Sequence, residues 1–484
     1  MTDEGTDESV VRRDRFSGGP ARSFLSSLAA DRRIFAADLA VDRAHVVMLA
    51  ECDVIGDDVA SEILEALKEI EAAGHDDLPD GEDVHEAIET AVIERIGPDG
   101  GKMHTARSRN DEVATCIRYR LREDVREALE ATRGLREALL EVADENRETI
   151  MPGYTHLQPA QPTTVAHWAL SYEAAVRRDT ARLLEAYDRI NQSPLGGAAF
   201  AGTTFEIDRE RTAELLGFES VVENSMDAAS SRDFLLETIQ ALSTLATTLS
   251  GLAEDVIIFA NRGFVSLSDD YASTSSIMPQ KKNPDTLELV RAVAGDAAGE
   301  VQGLTTTLKG LPRAYNRDLQ RATGHAWETV DAVTEATEVA AGAVATADWN
   351  EEVLADAAGE GFATATGVAD LLAANGVPFR TAHEVVAWAA ENGADYDAIE
   401  AAAAEILEDD LESCVEPAAV EAALEPAESV ASRNSRGGPA PAAVATTLES
   451  ARADLDADEA ALADLAADLE DAAETLRSEV AGYV

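Results

Sequence analysis

Asn110-Asp-Glu-Val-Ala-Thr-Cys-Ile-Arg-Tyr-Arg-Leu-Arg-Glu-Asp-Val-Arg-Glu-Ala-Leu129 carries apolar residues at Val113, Ile117, Leu121, Val125 and Leu129. A spacing of four keeps these side chains on one stripe of an α-helix. The pattern predicts a helix running on to about Arg147, roughly 50 Å at 1.5 Å per residue. A helix that long needs partner helices along its apolar stripe. Four further long helical stretches follow, over about 163–191, 226–261, 284–308 and up to about Ala345. The expectation is therefore an all-α chain with a central five-helix bundle over residues 112–348.

Outward from that bundle the patterns shorten. Residues 12–111 read as an N-terminal helical domain, with Val46, Val47 and Leu49 on one helix and Ile63, Leu64, Leu67 and Ile70 on another. Residues 1–11 are acidic and expected to be disordered. Residues 349–484 are rich in alanine and acids and read as a small C-terminal helical domain. A solvated acidic tail competes for its last stretch.

Several breaks between helices are dense in chemistry. Tyr271-Ala-Ser-Thr-Ser-Ser-Ile-Met-Pro-Gln-Lys-Lys-Asn-Pro-Asp-Thr-Leu-Glu288 begins with hydroxyl residues that compete for backbone hydrogen bonds. It ends on Asn283, Pro284 and Asp285, which suit an N-cap, a first helical position and a first turn. Lys281 and Lys282 stand just before that cap, so two ammonium groups flank the positive end of a helix, a site for a carboxylate. The chain has only three other lysines, Lys68, Lys102 and Lys309, which makes the adjacent pair unlike surface decoration. Gly100-Gly-Lys-Met-His-Thr-Ala-Arg-Ser-Arg-Asn-Asp111 likewise sets glycines, cations and a histidine before a helix. Met151-Pro-Gly-Tyr-Thr-His-Leu-Gln-Pro-Ala-Gln-Pro162 places Thr155 and His156 on a connection between long helices. His85, opening a helix, reads as a polar helix residue rather than a catalyst. The glycine-rich run 193–204 lacks the Gly-Lys-Ser/Thr of a phosphate loop.

Composition narrows the function. The 484-residue chain has a formal net charge of −54 at pH 7, which argues against nucleic acid and anionic membranes as partners. The acids are spread through helical sequence, and lysine is scarce. That combination suits a surface adapted to high salt, where self-repulsion is screened. Cys52, Cys116 and Cys414 are far apart with no metal-ligand spacing, so no metal or cofactor is expected and a reducing cytoplasm is the default. The most apolar region, Leu235 to Ala260, is interrupted by Glu237, Glu254 and Asp255, and reads as a buried helix rather than a membrane span.

Ser275-Ser276-Ile-Met-Pro-Gln-Lys-Lys-Asn-Pro resembles the signature loop of the fumarase/aspartase superfamily, and the Gln-Lys-Lys-Asn-Pro continuation resembles its argininosuccinate lyase family. The 100–111 segment, Thr155-His-Leu-Gln158 and Gly310-Leu-Pro-Arg-Ala-Tyr-Asn-Arg-Asp-Leu-Gln320 resemble further family motifs in order and spacing. The resemblance implies elimination of argininosuccinate to arginine and fumarate, with Ser275, His156 and Glu288 as the catalytic set. By the same matching, substrate binding falls on Ser27, Arg109, Asn110, Thr155, Lys281, Asn283, Tyr315 and Gln320. Ser275 is the expected base and His156 the proton donor, with the reverse assignment open. The resemblance also implies homotetramers with each site built from three subunits. Another fumarate-releasing lyase, or a crystallin-like structural homologue, is the alternative. Three positions depart from the family pattern: Thr274 and Ala106 stand where it has glycine, and Thr323 where it has a substrate-binding lysine. Arg321 is the nearby cation that could compensate.

Overall fold

The computed structural model describes residues 20–484, so the expected disorder of residues 1–11 lies outside the described residues. The Asn110–Leu129 repeat falls in α4, below, a 37-residue helix. Ser108 starts it with a capping box: its hydroxyl accepts from the Asn110 N–H (3.3 Å) while the Asp111 carboxylate accepts from the Ser108 N–H (2.9 Å). Before it come α1 (Phe35–Glu51), α2 (Asp57–Ala73) and α3 (Val84–Ile96), then α4 itself (Arg109–Glu145). After it come α5 (Val165–Ile190), α6 (Asp233–Arg262), α7 (Asp285–Leu308) and α8 (Ala322–Ala345). Helices α4 to α8 pack on one another as the five-helix bundle that the periodicity requires.

The three acids that interrupt the apolar run of α6 are all engaged. Glu237 pairs with Arg189, Glu254 pairs with Arg291 (2.5 Å), and Asp255 accepts from Trp168 Nε1 (3.0 Å) and the Tyr172 hydroxyl (2.7 Å). Helix α6 is long and apolar enough to cross a membrane by composition, but here its apolar stripe packs on α5, α7 and α8.

Local structure departs from the reading in three places. The Pro/Gly-dense run at 151–162 is an antiparallel hairpin, β1 (Ile150–Thr155) with β2 (Gln158–Thr164), closed by His156 and Leu157 at φ 57° and 59°. Gly153 permits its closest approach, because a Cβ there would meet the Gln161 carbonyl at 2.5 Å. Second, the helix expected from about 226 is split into Ser225–Ser230 and α6. Third, Asn283 does not cap α7. It lies in β4 (Lys282–Asn283), which pairs with β3 (Ser273–Thr274). Asp285 does the anchoring instead, accepting from the Ser273 N–H at 3.1 Å and from its hydroxyl at 2.5 Å.

Two more apolar clusters flank the bundle. One joins α1, α2 and α3 to the start of α4. The other holds α9 (Ala365–Ala374), α10 (Phe379–Glu391), α11 (Tyr396–Ile406) and α12 (Pro417–Leu424). The last stretch is not a solvated tail. It is α13 (Pro441–Tyr483), laid along α4 and α5 and reaching α1 and α2. Its acids meet arginines of the bundle, Asp458 with Arg136 (2.5 Å) and Asp454 with Arg177, and Glu479 meets Arg211 (2.7 Å) on the short Arg209–Leu215 helix.

Ala106 takes φ 68° just before the cap of α4, a conformation that a Cβ disfavours by roughly 1–2 kcal/mol, offset in part by the extra chain entropy of glycine. Ala106→Gly should therefore raise stability by about 0.5–1 kcal/mol, read as a higher denaturant midpoint at fixed salt.

Candidate active site

A cavity of about 320 Å³ opens where the starts of α3 and α4 meet the segment before α8, and Ser27, Arg109, Asn110, Tyr315 and Gln320 all line it. Ser27 is fixed by its N–H to the Glu82 carbonyl (2.8 Å) and its hydroxyl to the Asp31 carboxylate (2.7 Å). Arg109 and Asn110 occupy the first turn of α4, held by the capping box. The second carboxylate oxygen of Asp111 accepts from the N–H groups of Gly196 (2.9 Å) and Ala198 (2.8 Å), which fastens the glycine-rich run beside the pocket. Arg109 is paired with Asp83 (3.0 Å), and Asn110 Nδ2 donates to the Ala199 carbonyl (3.2 Å). Gln320 Nε2 donates to the Leu25 carbonyl (2.9 Å).

The remaining expected residues lie on two other exposed features of the same chain. Thr155 and His156 sit at the tip of the β1–β2 hairpin. Left-handed backbone at a non-glycine pair is strained and is retained mainly where position matters. Ser275, Lys281 and Asn283 belong to the loop closed by β3 and β4. The Ser275 hydroxyl oxygen accepts from the N–H groups of Ile277 (3.3 Å) and Met278 (3.1 Å). Lys282 is spent on Asp269 (2.7 Å), whereas Lys281 is exposed with no ion pair among the described residues. Glu288 is exposed on the first turns of α7 and does not meet His156 within the chain. One chain thus presents three separate parts of the expected site.

The profile of the family described as "Lyase" matches residues 22–299, and that described as "Argininosuccinate lyase C-terminal" matches 362–431. The argininosuccinate lyase of Haloarcula marismortui is 67% identical over 484 residues, covering 99% of this chain and 97% of the relative. That of Natronomonas pharaonis is 70% identical over 481 residues, covering 99% and 98%. This chain belongs to the argininosuccinate lyase family. A solved EDDS lyase in complex with formate superposes with a TM-score of 0.85 at 31% identity, covering 96% of both chains.

Against the argininosuccinate lyase pattern, the departures acquire a physical reading. Thr274 lies in the extended strand β3, where a β-branched residue fits, so the base of the loop is stiffened rather than distorted. Thr323 lines the pocket, but Arg321 is exposed and does not line it. Motif reading missed other pocket residues. Asp31 and Asp83 are acids on its wall, and burial raises the Asp31 carboxyl despite the nearby His85. His104 also lines it; burial, then Arg107 and Arg109, push its imidazole down to about 4, so it is neutral. Asp83 was legible as the residue before α3, since its side chain caps that helix through the Glu86 N–H (2.8 Å).

Below the pocket lies a buried ion cluster. Arg107 meets Asp42 (2.5 Å) and Glu112 (3.1 Å), and His85 meets Asp38 (2.8 Å) and Glu112 (3.7 Å). His85 is thus a buried structural cation. Burial opposes its charge, but Asp38 and Glu112 lift it to about 10. Burial also raises Asp42 to about 7, against the pull of Arg107.

Both shifts favour the protonated folded state. The His85 contribution is complete below its unfolded value of about 6.5 and is lost as pH climbs through about 10. The melting temperature should fall from pH 7 to pH 10 at constant salt. His85→Gln should melt lower at pH 7 and show a shallower fall.

Proposed function

We propose that the chain splits argininosuccinate reversibly into L-arginine and fumarate in arginine biosynthesis. It acts in the cytoplasm as a homotetramer whose sites are each shared between subunits. The carrying observation is the division of the site within one chain. The pocket holds Ser27, Arg109, Asn110, Tyr315 and Gln320, while the hairpin tip and the 275–283 loop carry the rest outward. Packing of neighbouring copies supplies each pocket with a tip and a loop. The exposed Ile277, Met278, Leu157 and Leu289 are apolar surface that such packing would cover. Free Cys52, Cys116 and Cys414 suit a reducing compartment.

The chemistry follows from charge. A base removes a proton from the carbon beside a succinate carboxylate, and the electron pair moves into that carboxylate to give an aci-carboxylate dianion. The C–N bond then breaks, its electrons go to the guanidinium nitrogen with a proton, and the carbon–carbon double bond of fumarate forms. The dianion needs donors fixed in advance. Lys281, Asn283 and the N-terminus of α7 take that role.

Ser275 is the base. Serine is far too weak an acid in water, but its oxygen already receives two backbone N–H groups, which favour the ionised hydroxyl. Lys281 adds a positive charge nearby in the loop. His156 delivers the proton to the leaving nitrogen, with Glu288 of a neighbouring copy raising its basicity. Asp31 and Asp83 place carboxylates on the pocket wall for a substrate with ammonium and guanidinium groups, Asp83 sharing its charge with Arg109. The crystallin-like alternative is not favoured, since relatives near 70% identity over nearly the whole chain are argininosuccinate lyases.

Fumarate release from argininosuccinate, followed by ultraviolet absorbance in molar salt, tests the activity. Ser275→Ala should lower turnover by at least about a hundredfold; near-normal turnover would remove serine from the chemistry. Sharing is tested separately. Ser275→Ala and His156→Asn subunits, each nearly inactive alone, should recover part of the activity when unfolded and refolded together. A fully active monomer in light scattering would exclude the shared site.

A further inference from the structure

We propose that Arg232 binds the α-carboxylate at the amino-acid end of the substrate, supplying the positive charge that Thr323 does not. The assignment rests on the lyase reading above and names a residue that none of the sequence motifs contains.

Three arginines line the 320 Å³ pocket: Arg109, Arg232 and Arg317. Two have acidic partners, Arg109 with Asp83 (3.0 Å) and Arg317 with Glu82 (2.8 Å). Arg232 has none among the described residues, although it is only 2% exposed. Among the described residues its one side-chain hydrogen bond runs from Nη1 to the adjacent Ser231 carbonyl (2.7 Å), and Nε has no partner. A buried guanidinium without a carboxylate is costly, and in a chain with 93 acids such a partner is easily placed.

The nearest comparable residue shows what a satisfied structural arginine looks like here. Arg118 is also buried, but it donates to the carbonyls of Arg189 (2.7 Å) and Ile190 (3.1 Å) at the end of α5 and stacks on Phe234 (3.9 Å). Its charge adds to the positive field at Arg232 rather than neutralising it. Asp233, next in sequence, accepts from the Phe234 N–H instead (3.2 Å).

Arg232 therefore faces a pocket shared with Tyr315, Gln320 and Thr323 with its charge unmet. The planar fork suits a carboxylate bound through two parallel hydrogen bonds. Asp31 on the same wall, whose hydrogen-bond partners are the uncharged Ser27 hydroxyl and Val84 N–H, suits the neighbouring α-ammonium, so the pocket reads both charges of an amino acid. Arg232 also borders a second cavity of about 400 Å³ with Lys309 and Arg313, where an unrelated anion is the competing occupant.

The test compares calorimetric binding of L-arginine with that of agmatine, which lacks the carboxylate, on the intact wild-type enzyme and its variants. Wild type should prefer arginine strongly. Arg232→Met should weaken arginine on the order of 100-fold, leave agmatine within about threefold, and raise KM for argininosuccinate with kcat largely kept. Adding Thr323→Lys to that variant should restore part of the preference. Arg232→Lys, which keeps charge but loses the fork, should cut the preference by about tenfold and covers the case in which the methionine variant does not fold. Equal weakening of both ligands, an unchanged preference in either variant, or no preference in wild type would overturn the assignment, the last two being expected of an anion held in the second cavity. Arginine preference lost in the variants while wild type releases no fumarate would leave Arg232 in place and refute the lyase reading instead.

Discussion

The contact between Arg107 and the paired carboxylates of Asp42 and Glu112 ties the start of α4 to α1. All three side chains are buried, and His85 from α3 joins through Asp38 and Glu112. Three acids and two cations leave one negative charge in excess; burial first, and the neighbouring acids second, displace Asp42 and Glu112 toward the protonated form against the pull of Arg107. Replacing one member would strand a partner in a dry setting, so the cluster behaves as a unit. Its consequence is positional. Arg109 and Asn110 follow Arg107 after the capping residue Ser108, and their place on the pocket wall is inherited from this anchoring. The same helix then runs through the bundle core. The buried ion cluster therefore adds a directional joint to the apolar cluster that sets the N-terminal helices against the long helices.

Much of the architecture was legible because long helices write their partners into a four-residue repeat. Val113 to Leu129 did so for α4, and every helix of the bundle was anticipated. The hairpin at 150–164 was not, for a physical reason. Its turn uses His156 and Leu157 at positive φ, where the usual signal is Asn-Gly or Gly-Gly. Prolines at 152, 159 and 162 also argued against paired strands. Asn283 was misread as a cap because local propensity cannot see that Ser273 and Thr274 return to pair with it across the loop. The sequence of helix α13 also reads as a tail because its acids find arginine partners only after folding.

The site was legible unevenly. Ser27, Arg109, Asn110, Tyr315 and Gln320 were each reached by motif, and they share one pocket. Ser275 and His156 were reached the same way, but within one chain they lie on separate features, the 275–283 loop and the hairpin tip. Nothing in a linear sequence marks which surfaces of identical copies face each other. Arg232 lay beyond reach for a different reason. It stands between the short Ser225–Ser230 helix and the start of α6 with no neighbouring motif, and its distinguishing property is a missing partner, which only three-dimensional packing reveals.

That missing partner bears on how an acidic chain handles an acidic substrate. At a net charge of −54 the long-range field repels a carboxylate. In molar salt that field extends only about 3 Å, so neither the repulsion nor any steering reaches far into solvent. Recognition must then come from charges that touch the ligand and are shielded from ions. A guanidinium buried beneath the surface meets both conditions, whereas an exposed ammonium such as Lys281 is screened. On this view, scarce lysine on the outside and an unpaired arginine on the inside are two results of one constraint. High salt removes action at a distance and leaves contact.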